Sequence, residues 1–218
     1  MFFSQRKYWD SVAPKKEFTT DFQKELLEQF AARNAAILDV GCGYGRTMGQ
    51  LRDAGFTNLH GVDYASRMIE RGKALYPELD FRTAEGTKIP FPDASMDAVL
   101  LLAVLTCVAD STEQEAILSE IYRVLRPHGI LYVNDFLIND DERNLERYAL
   151  AAEKYAGRFP YGTFELPEGA LLRHHAPEHL RDLLSRFFPL RSERVTFQTM
   201  NGHTSHGLVF LGRKPQMD

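Results

Sequence analysis

Short apolar runs alternating with amphipathic ones constrain this chain more than any other feature. "AAILDV" is followed by "RTMGQLRDAG", "LHGVD" by "ASRMIERGKAL", "DFRTA" and "DAVLLLAV" by "EQEAILSEIYRVLRP", and the series ends at "GILYVNDF". A strand covered on both faces reads as an unbroken apolar run, because its side chains alternate between two buried surfaces. The amphipathic runs supply helices with one apolar stripe each. The pattern predicts an α/β domain with a parallel sheet and helices on both faces. At 218 residues and 44% hydrophobic content the chain can bury one core and still provide a cover, so residues 1–218 are expected to form a single domain.

Local signals sharpen this outline. Asp110, Ser111 and Thr112, followed by Glu113 and Glu115, supply an N-cap and an acidic first turn, and "RPHG" with Pro127 and Gly129 is expected to close the same helix. Residues 136–176 break the rhythm, charged early in "NDDERNLER" and then rich in Gly, Pro and aromatics. "YAGRFPYGTFELPEGALL" is too aromatic and apolar to stay solvated, so the segment is expected to lie as a lid over the sheet's carboxyl edge. A helix from Pro177 to about Phe188 follows, then the runs "SERVTFQTM" and "HGLVFLGRK", joined by a hairpin turn at Asn201 and Gly202.

Composition excludes several function classes. The net charge of −4 offers no field for a polyanion, which argues against nucleic acid as partner. Cys42 and Cys107 are the only cysteines, and their spacing suits neither a disulfide framework nor a zinc site; no metal is expected and a reducing cytoplasm fits. "MFFSQRKYWDSVAPKK" has no long apolar stretch, and no later run approaches the ~18 residues of a spanning helix, so a soluble, unexported protein with no membrane partner is expected.

The chemistry concentrates at "AAILDVGCGYGRTMGQL". A dinucleotide fingerprint needs G-x-G-x-x-G, and here Arg46 stands where the third glycine should be, after Gly41, Gly43 and Gly45. A P-loop needs a wider gap and a lysine, which are both missing. The turn therefore suits a ligand without phosphate, lying flat against small residues. Asp39 and Asp63 end successive strands, and an acid about 20 residues past the turn suits ribose hydroxyls.

"ILDVGCGYGR", "GVDYASRMIERGKAL", "TAEGTKIPFPDASMDAV" and "EIYRVLRPHGILYVNDF" resemble, in order, the motifs of class I S-adenosylmethionine-dependent methyltransferases. The resemblance implies a Rossmann-like doubly wound, mostly parallel seven-stranded sheet in the order 3-2-1-4-5-7-6. Its last strand, from "GLVFLGRK", would be antiparallel, with a lid insertion after strand five. S-adenosylmethionine is the implied cofactor. Gly41, Gly43 and Gly45 would lie against its methionine part, Asp39 near its amino group and Asp63 on its ribose, with Tyr64 beside it. Met68, Glu85 and Gly86 would face the adenine, and Leu102 and Ala103 the cofactor's other side. Carboxylates suit this ligand, which carries a cationic amine and a sulfonium.

The acceptor side is less patterned. After strand four the chain reads "AVLTCVAD", placing Thr106 and Cys107 where many small-molecule members carry histidines; the asparagine-proline-proline motif of base- or glutamine-modifying relatives is missing. Arg173, His174 and His175 close the insertion's apolar run and are expected at the cavity wall, with His174 or His175 as catalytic base and His206 in reserve; His179 and His203 are lesser candidates. The N-terminal residues 1–34 resemble the family's helical cover, where Tyr8 and Trp9 would shield the methionine end. The expected function is in-line methyl transfer to a small-molecule acceptor. A non-catalytic cofactor-binding sensor is the alternative.

Overall fold

The computed structural model describes residues 5–199 and 202–216. Strands β1 (Ala36–Val40), β2 (Asn58–Asp63), β3 (Asp80–Thr83), β4 (Met96–Leu102) and β5 (Leu125–Phe136) pair in parallel. Two long strands, β8 (Phe188–Gln198) and β9 (Thr204–Arg213), complete a seven-stranded sheet in the order β3-β2-β1-β4-β5-β9-β8. This is the expected order, with β9 antiparallel to both its neighbours.

Helices α3 (Arg46–Asp53), α4 (Ser66–Leu75), α5 (Ser111–Val124) and α7 (Pro177–Leu183) connect the strands, and α1 (Arg6–Val12) and α2 (Lys24–Glu28) precede them. Strand alternation splits the core in two. Ile37, Leu100 and Tyr132 pack on one face with Met48, Leu51 and Ile69. Leu38, Val99 and Val133 pack on the other with Leu118, Ile121 and Leu180. Every residue of β1 is buried, as its unbroken apolar run requires. Among the described residues no helix is long and apolar enough to cross a membrane.

Two boundaries differ from the sequence expectation. Asp110 caps α5 as expected, its side chain accepting from the Glu113 N–H, but "RPHG" does not end the helix. Helix α5 stops at Val124 and β5 begins at once, with His128, not Gly129, in the left-handed region at φ 66°. A distant residue caps the helix instead. Lys214 Nζ donates to the carbonyls of Tyr122 (2.6 Å) and Leu125 (2.7 Å), a cation satisfying terminal carbonyls that no local residue reaches. Helix α7 ends at Leu183, short of Phe188, because Phe188 already pairs with Arg213 in the sheet. Asn201 of the expected hairpin turn lies outside the described residues; Gln198 and Thr204 face each other across the β8 and β9 ladder.

The insertion carries more structure than its composition suggests. Helix α6 (Glu142–Lys154) is capped by Asp141, which accepts from the Asn144 N–H, and the hairpin of β6 (Thr163–Glu165) and β7 (Leu171–Arg173) packs beside it. Its buried stripe is Asn144, Tyr148 and Ala151, so apolar counting does not reveal it.

Candidate functional site

The carboxyl ends of β1, β2 and β4 open onto one cavity of about 480 Å³, a volume that suits a small-molecule ligand. Val40, Asp63 and Leu102 line it, each near the end of its strand. The glycine loop forms its floor. Gly41, Gly43 and Gly45 all take left-handed φ angles of 72°, 54° and 83°, which only glycine adopts without strain. The loop's N–H groups are engaged internally: Gly41 and Cys42 donate to the Val62 carbonyl (2.8 and 3.0 Å), Gly43 to Asp63 Oδ2 (2.9 Å) and Gly45 to the Cys42 carbonyl (2.9 Å). A phosphate cradle requires such donors to be free. This loop instead offers a close, donor-poor surface.

Two carboxylates meet there. Asp63 accepts from the N–H groups of Gly43 and, through Oδ1, of Ala65 (2.8 Å). Burial outweighs these donors and raises Asp63 to about 6. Asp39 is more exceptional. It is 3% exposed, lines the cavity, and among the described residues no donor bonds its carboxylate. Burial pushes it up to about 7, with Arg46 opposing the rise and Asp63 adding to it. A buried carboxylate without a donor is costly, and a cationic ligand group would relieve it.

The cover comes from two distant segments. Trp9, Lys16 and Phe18 line the cavity from the N-terminal side, with Phe18 stacked on Tyr44 at 5.4 Å. Gln5 joins this segment to the insertion: its Nε2 donates to the Leu171 carbonyl (2.7 Å) and its Oε1 accepts from the Leu171 N–H (2.6 Å). From the insertion, Arg143, Arg147, Phe164, Leu172 and His174 reach the cavity.

Strand alternation sorts the "RHH" run. Leu172 and His174 face the cavity, so Arg173 and His175 point away, a period-2 rule that counting charged residues overlooks. Arg173 donates to the Ala109 carbonyl (3.2 Å) and Ser111 Oγ (2.9 Å). His175 is fully buried away from the cavity, its ring stacked on His179 at 5.6 Å and its Nε2 3.7 Å from Asp135. Burial drives its pKa well down. His175 is therefore not the expected base. His206 fails too, lining a separate cavity of about 200 Å³, while its neighbour Ser205 lines the main one.

His174 reaches the cavity with a fixed tautomer. The Asn139 N–H donates to Tyr148 Oη (3.3 Å), and Tyr148 donates its proton to His174 Nδ1 (2.6 Å). That assignment leaves the ring hydrogen on Nε2. Burial, helped by Arg147 and Arg143, lowers the His174 pKa to about 3. A neutral ring with a protonated Nε2 and an occupied Nδ1 donates a hydrogen bond; it does not accept a proton.

Of the expected cofactor contacts, Asp39, Gly41, Asp63, Tyr64, Met68, Gly86, Leu102 and Ala103 line the cavity. Gly43, Gly45, Glu85 and Tyr8 do not. A Cβ on Gly43 would meet Phe18 Cε2 at 2.6 Å and one on Gly45 the Phe81 ring, so those glycines make room for protein side chains. Glu85 is exposed at a turn, its carbonyl bonded to the Lys88 N–H, and only its neighbours Ala84 and Gly86 face inward. Tyr8 lies edge-on to Trp9 at 5.0 Å, and Trp9 takes the lining position. Thr106 is structural, its Oγ1 donating to the Arg173 carbonyl (2.8 Å). Arg143 and Arg147 were not foreseen; their i, i+4 spacing becomes a signal only once α6 is recognised as a helix.

Known proteins share this architecture. Residues 38–133 match the family model described as a methyltransferase domain. That match covers less than half of the chain. The likeness to curated relatives covers part of each chain. The chain is 32% identical to a demethylmenaquinone methyltransferase of Beutenbergia cavernae over 138 residues, covering 59% of this chain and 56% of that protein. It is 31% identical to a 27-O-demethylrifamycin SV methyltransferase of Amycolatopsis mediterranei over 147 residues, 64% of this chain and 53% of that one. It thus spans about half the length of these relatives. Among solved structures, a SAM-dependent methyltransferase of Methanosarcina mazei superposes with a TM-score of 0.82 over 91% of this chain and 100% of that one, at 24% identity. The fold is thus shared across sequences that have largely diverged.

Proposed function

We propose that this protein transfers a methyl group from S-adenosylmethionine to a small-molecule acceptor. The observation that carries the reading is Asp39, a buried carboxylate without a donor, paired with Asp63 on a glycine loop whose N–H groups are already engaged. That donor set rejects phosphates and favours a ligand with a cationic amine and hydroxyls. In this reading Asp39 holds the amino group, Asp63 the ribose hydroxyls, Met68 and Gly86 the adenine side, and Leu102 and Ala103 the opposite wall. When bound, the cofactor supplies an electrophilic methyl carbon on its sulfonium.

The chain contributes position and dryness. Residues 1–34 and 136–176 act as cover and lid of a single domain, excluding water and holding the acceptor in line. His174 orients the acceptor by donating from Nε2–H, as a positioning residue. The cytoplasm is the proposed setting, with neither nucleic acid nor membrane as partner. Calorimetric titration tests the reading: S-adenosylmethionine should bind with micromolar affinity and NADH should not. Failure to bind S-adenosylmethionine, or preference for NADH, overturns it.

A further inference from the structure

The two ends of the cavity differ in charge. At the glycine loop the charges acting on Asp39 are Arg46 and Asp63. At the insertion the charges acting on His174 are Arg147 and Arg143 against the single acid Asp141. Asp141 is largely occupied, capping α6 through the Asn144 N–H and accepting from the Asn144 side chain as well. Its nearest approach to Arg143 is 3.9 Å.

Arg147 has less still. Among the described residues no carboxylate lies within ion-pair distance of it. Its one hydrogen bond goes to the neutral Asn144 Oδ1, and its buried Nε has no partner. Burial lowers its pKa, and Arg143 lowers it further. The guanidinium lies over the Phe164 ring at 3.9 Å, so its plane is held in place. The arginines are one helical turn apart on α6 and both line the cavity. Phe136 stacks on His174 at 5.7 Å and Phe164 meets it edge-on at 4.7 Å, so the His174 ring packs between them and all three line the cavity beside the two cations.

We infer that the methyl acceptor is an organic acid whose carboxylate is taken by Arg147 and Arg143 while its planar body lies against Phe136 and Phe164. This rests on the methyl-transfer reading and narrows its substrate class. A fixed guanidinium fork matches a carboxylate bidentately, and partial burial strengthens the pairing. His174 Nε2–H completes the recognition as a third donor facing the same end. Attack by an oxygen of the ionised carboxylate on the sulfonium methyl carbon forms the methyl ester, breaks the sulfur–methyl bond and releases S-adenosylhomocysteine, with no proton to remove at the insertion.

The test keeps the two claims apart. Calorimetry with S-adenosylmethionine measures the methyl-transfer reading alone. The protein saturated with S-adenosylhomocysteine is then titrated with benzoate, 4-hydroxybenzoate and 2-naphthoate and with their primary amides. At least one acid should bind about tenfold or more tightly than its amide, the ratio expected from one charge-assisted pairing. Arg147→Gln should reduce that ratio to near unity and Arg147→Lys should partly restore it, with cofactor affinity unchanged in both. Equal binding of acids and amides, or binding of neither by a protein that holds S-adenosylhomocysteine, overturns the inference. So does an Arg147→Gln protein that retains the preference. If Arg147→Gln does not fold, Arg143→Gln and the wild-type ratio decide, since the wild-type ratio needs no substitution.

Discussion

The glycine-loop end of the cavity and its insertion end are built by different means. At the loop end, Asp39 and Gly41 flank the last residue of β1 and Asp63 ends β2, and the N–H groups of Gly41 and Gly43 tie the loop to β2 within a short stretch of chain. At the insertion end, Arg147 on α6, His174 beyond β7 and Ser205 on β9 meet only because three separate elements converge. The loop end presents Asp39 and Asp63 beside Arg46, and the insertion end presents Arg143, Arg147 and His174. A ligand lying across both would meet carboxylates at one side and N–H donors at the other.

The largest expected effect breaks the loop end. Gly41 sits at φ 72°, and an added Cβ would lie 2.5 Å from Val104 Cγ2. Gly41→Val should lower S-adenosylmethionine affinity by ~10²-fold or more, combining left-handed strain with displacement of the wall. Gly86→Ala is the contrast: φ is 60° but nothing lies within 4 Å of a new Cβ, so a loss of about tenfold or less is expected from strain alone. Equal losses in the two variants, read by calorimetry, would mean that packing at Gly41 contributes nothing.

Asp63 comes next. Asp63→Ala removes the acceptor for the Gly43 and Ala65 N–H groups, so it should weaken cofactor binding by about 1–3 kcal/mol and also lower stability by a similar amount. Thermal melts beside titrations separate the two. A mutant with unchanged melting and unchanged affinity removes Asp63 from the site.

The pH dependence sharpens the electrostatic side of the comparison. Asp39 and Asp63 stand raised to about 7 and about 6 in the unliganded protein, above their unfolded values. Between about pH 4 and 7 the folded state therefore holds more protons than the unfolded one, and these two groups make stability fall as pH rises. A cationic ligand favours their ionised forms, so binding should release protons near pH 6. Affinity should weaken as pH drops from 8 to 5, approaching about tenfold per unit for each group below its pKa. Calorimetry in buffers of different ionisation enthalpy counts the protons. Proton uptake on binding would contradict the assignment.

The smallest effect belongs to His174. His174→Phe preserves an aromatic ring between Phe136 and Phe164 but deletes the donor, so acceptor binding should fall by about tenfold or less while cofactor affinity holds. Because the wild-type ring stays neutral down to about pH 3, the rate profile between pH 5 and 8 should show no ionisation that this mutation abolishes. Loss of an inflection in that range would restore His174 as a base.

How much of this could be read in advance follows the same division. The alternation of strands and helices, the capped start of α5 and the loop acids followed from period and spacing, because each depends on residues near in sequence, whereas the strand order followed from the family resemblance. Of the expected neighbours Glu85 and Gly86, and Tyr8 and Trp9, only Gly86 and Trp9 line the cavity, since a turn or helix swings adjacent side chains apart. Helix α6 escaped notice because its buried stripe includes Asn144, whose polarity masks the 3.6-residue period.

By itself the sequence determined the sheet and the acidic, phosphate-free character of the glycine turn. Short-range hydrophobic alternation and strand-end carboxylates leave few other arrangements once helices cover both faces. Only the tertiary structure decided which histidine meets the ligand space and in what state. Which face of the chain at β7 turns inward depends on its pairing with β6 and its packing against the turn at Leu105–Cys107. The tautomer of His174 depends on Tyr148 and Asn139, which are 26 and 35 residues away along the chain. Proton position and charge are set by everything within hydrogen-bonding reach in space, and no local stretch of sequence contains that set.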